Sequence, residues 1–153
     1  MYKIVALACL TFCLILIAVF AVYLSQRGTS EALSDTYLPN IRVGGASLKV
    51  YVADTSEERA RGLSGTTALP PGQGFLLIFD NDDTHGFWMK GMQFPIDIIW
   101  ADSNGVVVHV EKALAPETYP RIFMPPTRAR YVIETGAGFV ERHGILVGDF
   151  IEL

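Results

Sequence analysis

Cysteine is nearly absent from this chain. Its only two, Cys9 and Cys13, fall within the first 24 residues. From Ser25 onward there can be no disulfide, thiolate nucleophile or cysteine-ligated metal, and redox conditions should leave the fold there unchanged. Charge is absent elsewhere: residues 4–24, IVALACLTFCLILIAVFAVYL, contain none, and no Pro or Gly. A basic stripe is missing too. From Ser25 there are 11 Lys and Arg against 16 Asp and Glu, a net of −5, which speaks against nucleic acid as a partner and against adhesion to anionic lipid. No Gly-x-Ser-x-Gly elbow, Gly-rich phosphate loop, repeat or low-complexity tract is present. With 153 residues the chain has room for one domain.

The uncharged run is the first feature that is there. As a helix it would be roughly 31 Å long, enough to cross the hydrocarbon core. It is longer than the core of a cleavable signal peptide, which spans about 7–15 residues. Residues 1–24 are therefore expected to be a single-pass signal-anchor helix. Cys9 and Cys13 would share one face of it, as apolar fillers, a helix contact or acylation sites. Lys3 and the amino terminus lie on one side, and Arg27, Glu31 and Asp35 on the other. The positive-inside rule then places the N-terminus in the cytoplasm and the remainder in the periplasm or outside the cell. Residues 25–40, poor in large apolar side chains, read as a linker, leaving a β-domain over 41–153.

Within that domain Gly and Pro punctuate short runs rich in Val, Ile, Phe, Tyr and Trp, a pattern of many short strands in a sandwich or barrel. Strands are expected at 41–43 and 47–53 around Gly44-Gly45, then at 75–79, 85–89, 96–101, 106–112 and 129–135. A closing hairpin is expected from 145–147 and 150–153. Asp102-Ser103-Asn104-Gly105 is a strong turn. Thr55-Ser56-Glu57-Glu58 fits a capping box, predicting a short helix over 56–61 stopped by Gly62. A second short helix is expected at 137–143.

Five side chains are candidates for chemistry. In Phe87-Trp88-Met89-Lys90, alternation would set Trp88 and Lys90 on one face: either an indole and ammonium walling a ligand site, or a Trp covering the sheet edge under a lysine stem. Asp97 lies inside the apolar run Phe94–Trp100 and must be paired, hydrogen-bonded or protonated. It could act as an acid or base, pair with Lys90 or an arginine, or accept backbone N–H bonds from the turn at Gly91-Met92. Arg61 ends the short helix, where it could hold an oxyanion or pair with Glu57. Period two places Arg128, Arg130 and Glu134 on one face, solvated or lining a polar pocket. Asn81–His85 offers oxygen and nitrogen ligands without metal-site spacing and reads as a polar turn. The residues suggest neither metal nor cofactor.

Six strings occur in order: Glu58-Arg59-x-Arg61-Gly62-Leu63, Leu69-Pro70-x-Gly72-x-Gly74-Phe75, Phe87-Trp88-Met89-Lys90, Pro95-Ile96-Asp97-Ile98-Ile99, Ala129-Arg130-Tyr131-Val132-Ile133-Glu134 and Gly144-Ile145-x-Val147-Gly148-Asp149. Together they resemble the family called domain of unknown function 192, uncharacterised bacterial and archaeal proteins, over residues 48–153. The resemblance implies a compact, mainly antiparallel all-β fold, a jelly-roll-like sandwich or small barrel. It implies no reaction or ligand, but its motif residues map onto Arg61, Trp88, Lys90, Asp97 and Glu134. The chain departs from the family pattern at Ser64, where methionine is usual, and at Gly91-Met92, where Asn-Thr is usual. The expectation is a membrane-anchored binding or accessory domain of the cell envelope with a polar cleft for a glycan-like ligand. The alternatives are a hydrolase or lyase using an Asp97–Glu134 carboxylate pair, and a structural partner of another envelope protein.

Overall fold

The computed structural model describes residues 38–153; the expected anchor at 1–24 and most of the linker lie outside them. Among the described residues no helix is long and apolar enough to cross a membrane.

The domain is mostly β. Its strands are β1 (Asn40–Val43), β2 (Ala46–Ala53), β3 (Gln73–Asp83), β4 (Ile96–Ala101), β5 (Val107–Leu114), β6 (Ala129–Gly136) and β7 (Ile151–Glu152). Two short helices, α1 (Ser56–Arg61) and α2 (Phe139–His143), and a 3-10 turn at Pro116–Thr118 complete it. One seven-stranded sheet runs β5-β4-β6-β3-β2-β1-β7. All neighbouring pairs are antiparallel except β2 and β3. The sheet curls into a half-barrel whose edges meet at one corner: Gly148 N–H donates to Val107 O, Val107 N–H to Asp149 O and Ile151 N–H to Gly105 O, each at 2.8 Å.

The elements follow local chemistry. Thr55 Oγ1 accepts from the Glu58 N–H at 3.2 Å, and Glu58 Oε2 accepts in return from the Thr55 N–H at 3.2 Å, so α1 begins with a closed capping box. Asp102 Oδ1 accepts from the Asn104 and Val106 amides, both at 2.9 Å, fixing the turn into β5. All six residues of β4 are buried, because both faces of the sheet are covered there. Leu48, Leu76, Ile99, Ile133 and Val140 belong to the core on one face. Leu63, Leu77, Ile98, Trp100 and Val132 belong to the core on the other.

Two expected strands do not form. Residues 85–89 make a single bridge, Phe87 to Phe123, with N–H···O distances of 2.9 and 2.8 Å. The His85 carbonyl there accepts from the Trp100 indole at 2.9 Å, which holds this backbone off any longer ladder. The closing hairpin is replaced by a tight turn: Leu146 N–H donates to Asp149 Oδ2 at 2.8 Å and Asp149 N–H to Leu146 O at 3.1 Å. With its amide committed to a side chain, 145–147 offers β7 no ladder, and β7 pairs with β1 instead.

Asp97 is fully buried, and its donors are not in the expected turn. Oδ1 accepts from the Ala113 N–H at 2.8 Å and Oδ2 from the Val140 N–H at 2.9 Å. One carboxylate thus ties β4 to the end of β5 and to the first turn of α2. Asp97→Ala strands two buried donors and is expected to cost about 3 kcal/mol or more in chemical denaturation. Asp97→Asn keeps one acceptor and should cost less. Unchanged denaturation midpoints for both variants would refute this role.

Candidate functional site

Asp97 and Glu134 do not form a pair. Asp97 is registered against Thr135, and Ile98 against Glu134. Neighbouring residues of a strand face opposite sides, so the two carboxyls sit on opposite faces of the sheet. No single cleft holds both, and the two-carboxylate hydrolase or lyase has no geometric basis.

Glu134 instead lies at the floor of an open cleft of about 570 Å³. Arg61, Trp88 and Glu134 all line it, so three of the five expected residues converge. Lys90 stands beside it with Nζ 5.3 Å from the centre of the Trp88 ring. Trp88 is 48% exposed, with Lys90 Nζ over its ring and Tyr119 against its edge.

Burial of Glu134 follows from its neighbours. It is flanked in the sheet by Phe75 and Ile98, both buried. The turn after α1 lies over it. Gly62 there has φ 51° and ψ −136°, a conformation open to glycine, and its missing Cβ would point at Glu134 Oε2 from 3.5 Å. The Leu63 N–H donates to the carboxylate, but burial outweighs that bond and pushes the Glu134 carboxyl up to about 7. Oε2 is buried and has no hydrogen-bond partner among the described residues. Such a group calls for a proton or a ligand donor.

Other residues that the sequence singles out take different roles in the structure. Arg59 faces the same cleft but is committed to the fold: it donates to the Asp54 and Ile78 carbonyls, pairs with Asp80 at 3.4 Å and lies 5.4 Å over the Phe79 ring. It clamps α1 to β3. His85 stacks on Phe79 with centroids 3.5 Å apart, where a polar turn was expected. No regular period links positions 79 and 85, so nothing local announced the pair. Arg130, expected beside Glu134, pairs instead with Asp82 at 2.7 Å. The two departures from the family pattern touch each other. Ser64 Oγ donates to Lys90 O at 2.7 Å, and a Cβ on Gly91 (φ +70°) would meet Ser64 Cβ at 3.5 Å.

The raised Glu134 value makes stability depend on pH. The carboxyl ionises near its ordinary 4.5 when unfolded and near 7 when folded. Stability is therefore full below about 4.5, falls as pH rises through this window, and is lower by on the order of 3 kcal/mol above 7. Glu134→Gln removes the ionisation. Its melting temperature is expected to gain on the native protein from about pH 4.5 to 7 and then level off, and equal pH profiles for the two proteins would count against a buried, raised carboxyl.

Residues 40–153 match the family described as uncharacterised ACR, the DUF192 family. The chain is 34% identical over 102 residues to a UPF0127 protein of Thermococcus gammatolerans, covering 67% of this chain and 64% of that one. It is 37% identical over 109 residues to a UPF0127 protein of Pyrococcus abyssi, covering 68% and 85%. The chain thus spans just under two thirds of the length of the first of these relatives. Among solved structures, a protein of unknown function from Novosphingobium aromaticivorans superposes with TM-score 0.74 at 25% identity, over 80% of this chain and 90% of that one. A Sinorhizobium meliloti protein described as a candidate transcription regulator gives TM-score 0.70 at 25% identity, over 78% and 97%. The described residues form one compact unit with its own hydrophobic core. The chain belongs to the uncharacterised DUF192 family, the UPF0127 proteins.

Proposed function

We propose that this protein is a binding or accessory module of the cell envelope, anchored in the cytoplasmic membrane by residues 4–24, with its β-domain outside, and that its cleft takes a glycan-like ligand. The observation that carries this reading is the buried Glu134 oxygen without a partner, at the floor of a cleft walled by an open indole. A sugar ring offers a flat C–H face to Trp88 and hydroxyl donors to a carboxyl. The uncharged stretch at 4–24 supports the anchor. The acidic balance from Ser25 favours a sugar over nucleic acid, whatever the Sinorhizobium relative binds.

A second reading, a docking partner for another envelope protein, draws on the turn that carries Leu146, Val147 and Phe150, each about 60% exposed. It leaves the unpaired Glu134 oxygen unexplained.

Trp100 is fully buried and Trp88 is open, so a change in tryptophan emission reports on the cleft. Titrating residues 38–153 with envelope glycan fragments is expected to give a saturable shift in emission. Trp88→Ala should weaken binding, followed by calorimetry, at least about tenfold, or roughly 1.4 kcal/mol. The full chain should stay with membranes through alkaline extraction, and a chain lacking residues 1–24 should not. Unaltered affinity in Trp88→Ala would remove the cleft from the account, and release of the full chain at alkaline pH would remove the anchor.

A further inference from the structure

Four large apolar side chains stand exposed beside the cleft: Trp88 at 48%, Tyr119 at 44%, Ile122 at 57% and Met124 at 52%. The Phe87–Phe123 bridge explains why they share a side. Phe87 and Phe123 pack into the core, so the residues that alternate with them, Trp88, Ile122 and Met124, face outward together. Gly86 lies between them without a side chain. A Cβ there would come within 2.8 Å of Ile122 Cγ2 and 3.3 Å of Met124 Cγ, so both side chains lean over that position. Tyr119 meets Trp88 edge-on with ring centres 5.6 Å apart. The result is an apolar shelf, and it is continuous with the cleft because Gly86 and Trp88 belong to both. Exposed apolar surface of this kind normally has an occupant.

A sugar alone would leave most of this shelf in water. We propose that the ligand is an amphiphile, a sugar head seated in the cleft with an alkyl chain laid along Trp88, Tyr119, Ile122 and Met124. This rests on the glycan reading of the same cleft and adds the ligand's second half. The shelf offers one wall and no roof, so the chain is buried on one side only. Each methylene should then raise affinity by about twofold, against about fourfold for complete burial.

The test uses residues 38–153 and alkyl β-glucosides from methyl to octyl, each below its micelle concentration, with calorimetry as the readout. Affinity is expected to climb with chain length, on the order of a hundredfold from methyl to octyl. Octyl glucoside should bind at least tenfold tighter than octanol. In Ile122→Ser/Met124→Ser, both at exposed positions, the climb should flatten while methyl glucoside affinity stays the same. A flat series in the native protein would overturn the shelf and leave the sugar cleft standing. Octanol binding as well as octyl glucoside would overturn the proposal through its head group, and the glycan reading with it. A slope retained in the double variant would overturn the placement of the chain. Concentration-dependent dimerisation abolished by the double variant would assign the shelf to a second copy of the protein and overturn the proposal. No binding by any glucoside would overturn both readings.

Discussion

A carboxyl held under a turn, with one oxygen satisfied and the other not, is the constraint around which this domain's site is organised. The turn following α1 lies over Glu134 on this face of β6, with the Leu63 N–H beside the carboxyl and Gly62 against Oε2. Gly62 supplies the φ 51°, ψ −136° backbone on which this turn depends. Its continuation, through Ser64 Oγ to the Lys90 carbonyl and the Gly65 N–H to the Gly91 carbonyl, ties the turn to the segment that carries Trp88. The floor, one wall and the rim of the cleft are thus connected through a few bonds, and each loses its position if the turn lifts from Glu134.

The sheet explains why its two buried carboxyls have different duties. Covering both faces of β4 and of the second half of β6 buries Asp97, Glu134 and Thr135, and a buried carboxylate must find donors or keep its proton. Asp97 faces the side where β5 ends and α2 begins, and two backbone amides satisfy it completely. Glu134 faces the side where only one amide reaches it. The first is a tie inside the fold. The second retains hydrogen-bonding capacity that nothing among the described residues uses. The same comparison removes paired-carboxylate catalysis, because the intervening sheet separates the two groups.

What could be read from the residues was local, and what could not was long-range. The capping box at Thr55 and Glu58, the Asp-x-Asn-Gly turn at 102–105 and the apolar run of β4 are set by neighbours within a few positions, and they appear where the pattern puts them. The donors to Asp97 are 16 and 43 residues away, beyond the reach of any periodicity. The alternation at 85–89 was real, since Met89 is buried and Trp88 exposed, but the Trp100 indole claims a backbone carbonyl there and no strand follows. For Glu134, period two put it on a polar-looking face with Arg128 and Arg130. Leu63 and its turn, arriving from the far side of β3, bury that face at one end, while Arg130 turns away to Asp82.

The two departures from the family pattern fit this picture. A small Ser64 packs beside a side-chain-free Gly91, so the two loops still meet at the cleft's edge through backbone bonds. The account as a whole depends on Glu134 being buried, half-satisfied and protonated into the neutral range. The most direct measurement is a carbon-13 NMR titration of the glutamate carboxyl carbons, with Glu134 assigned by its loss in Glu134→Gln. A midpoint near 7 is the predicted result. A midpoint near the ordinary 4.5 would mean an ionised, solvated carboxylate, and would contradict the cleft described here.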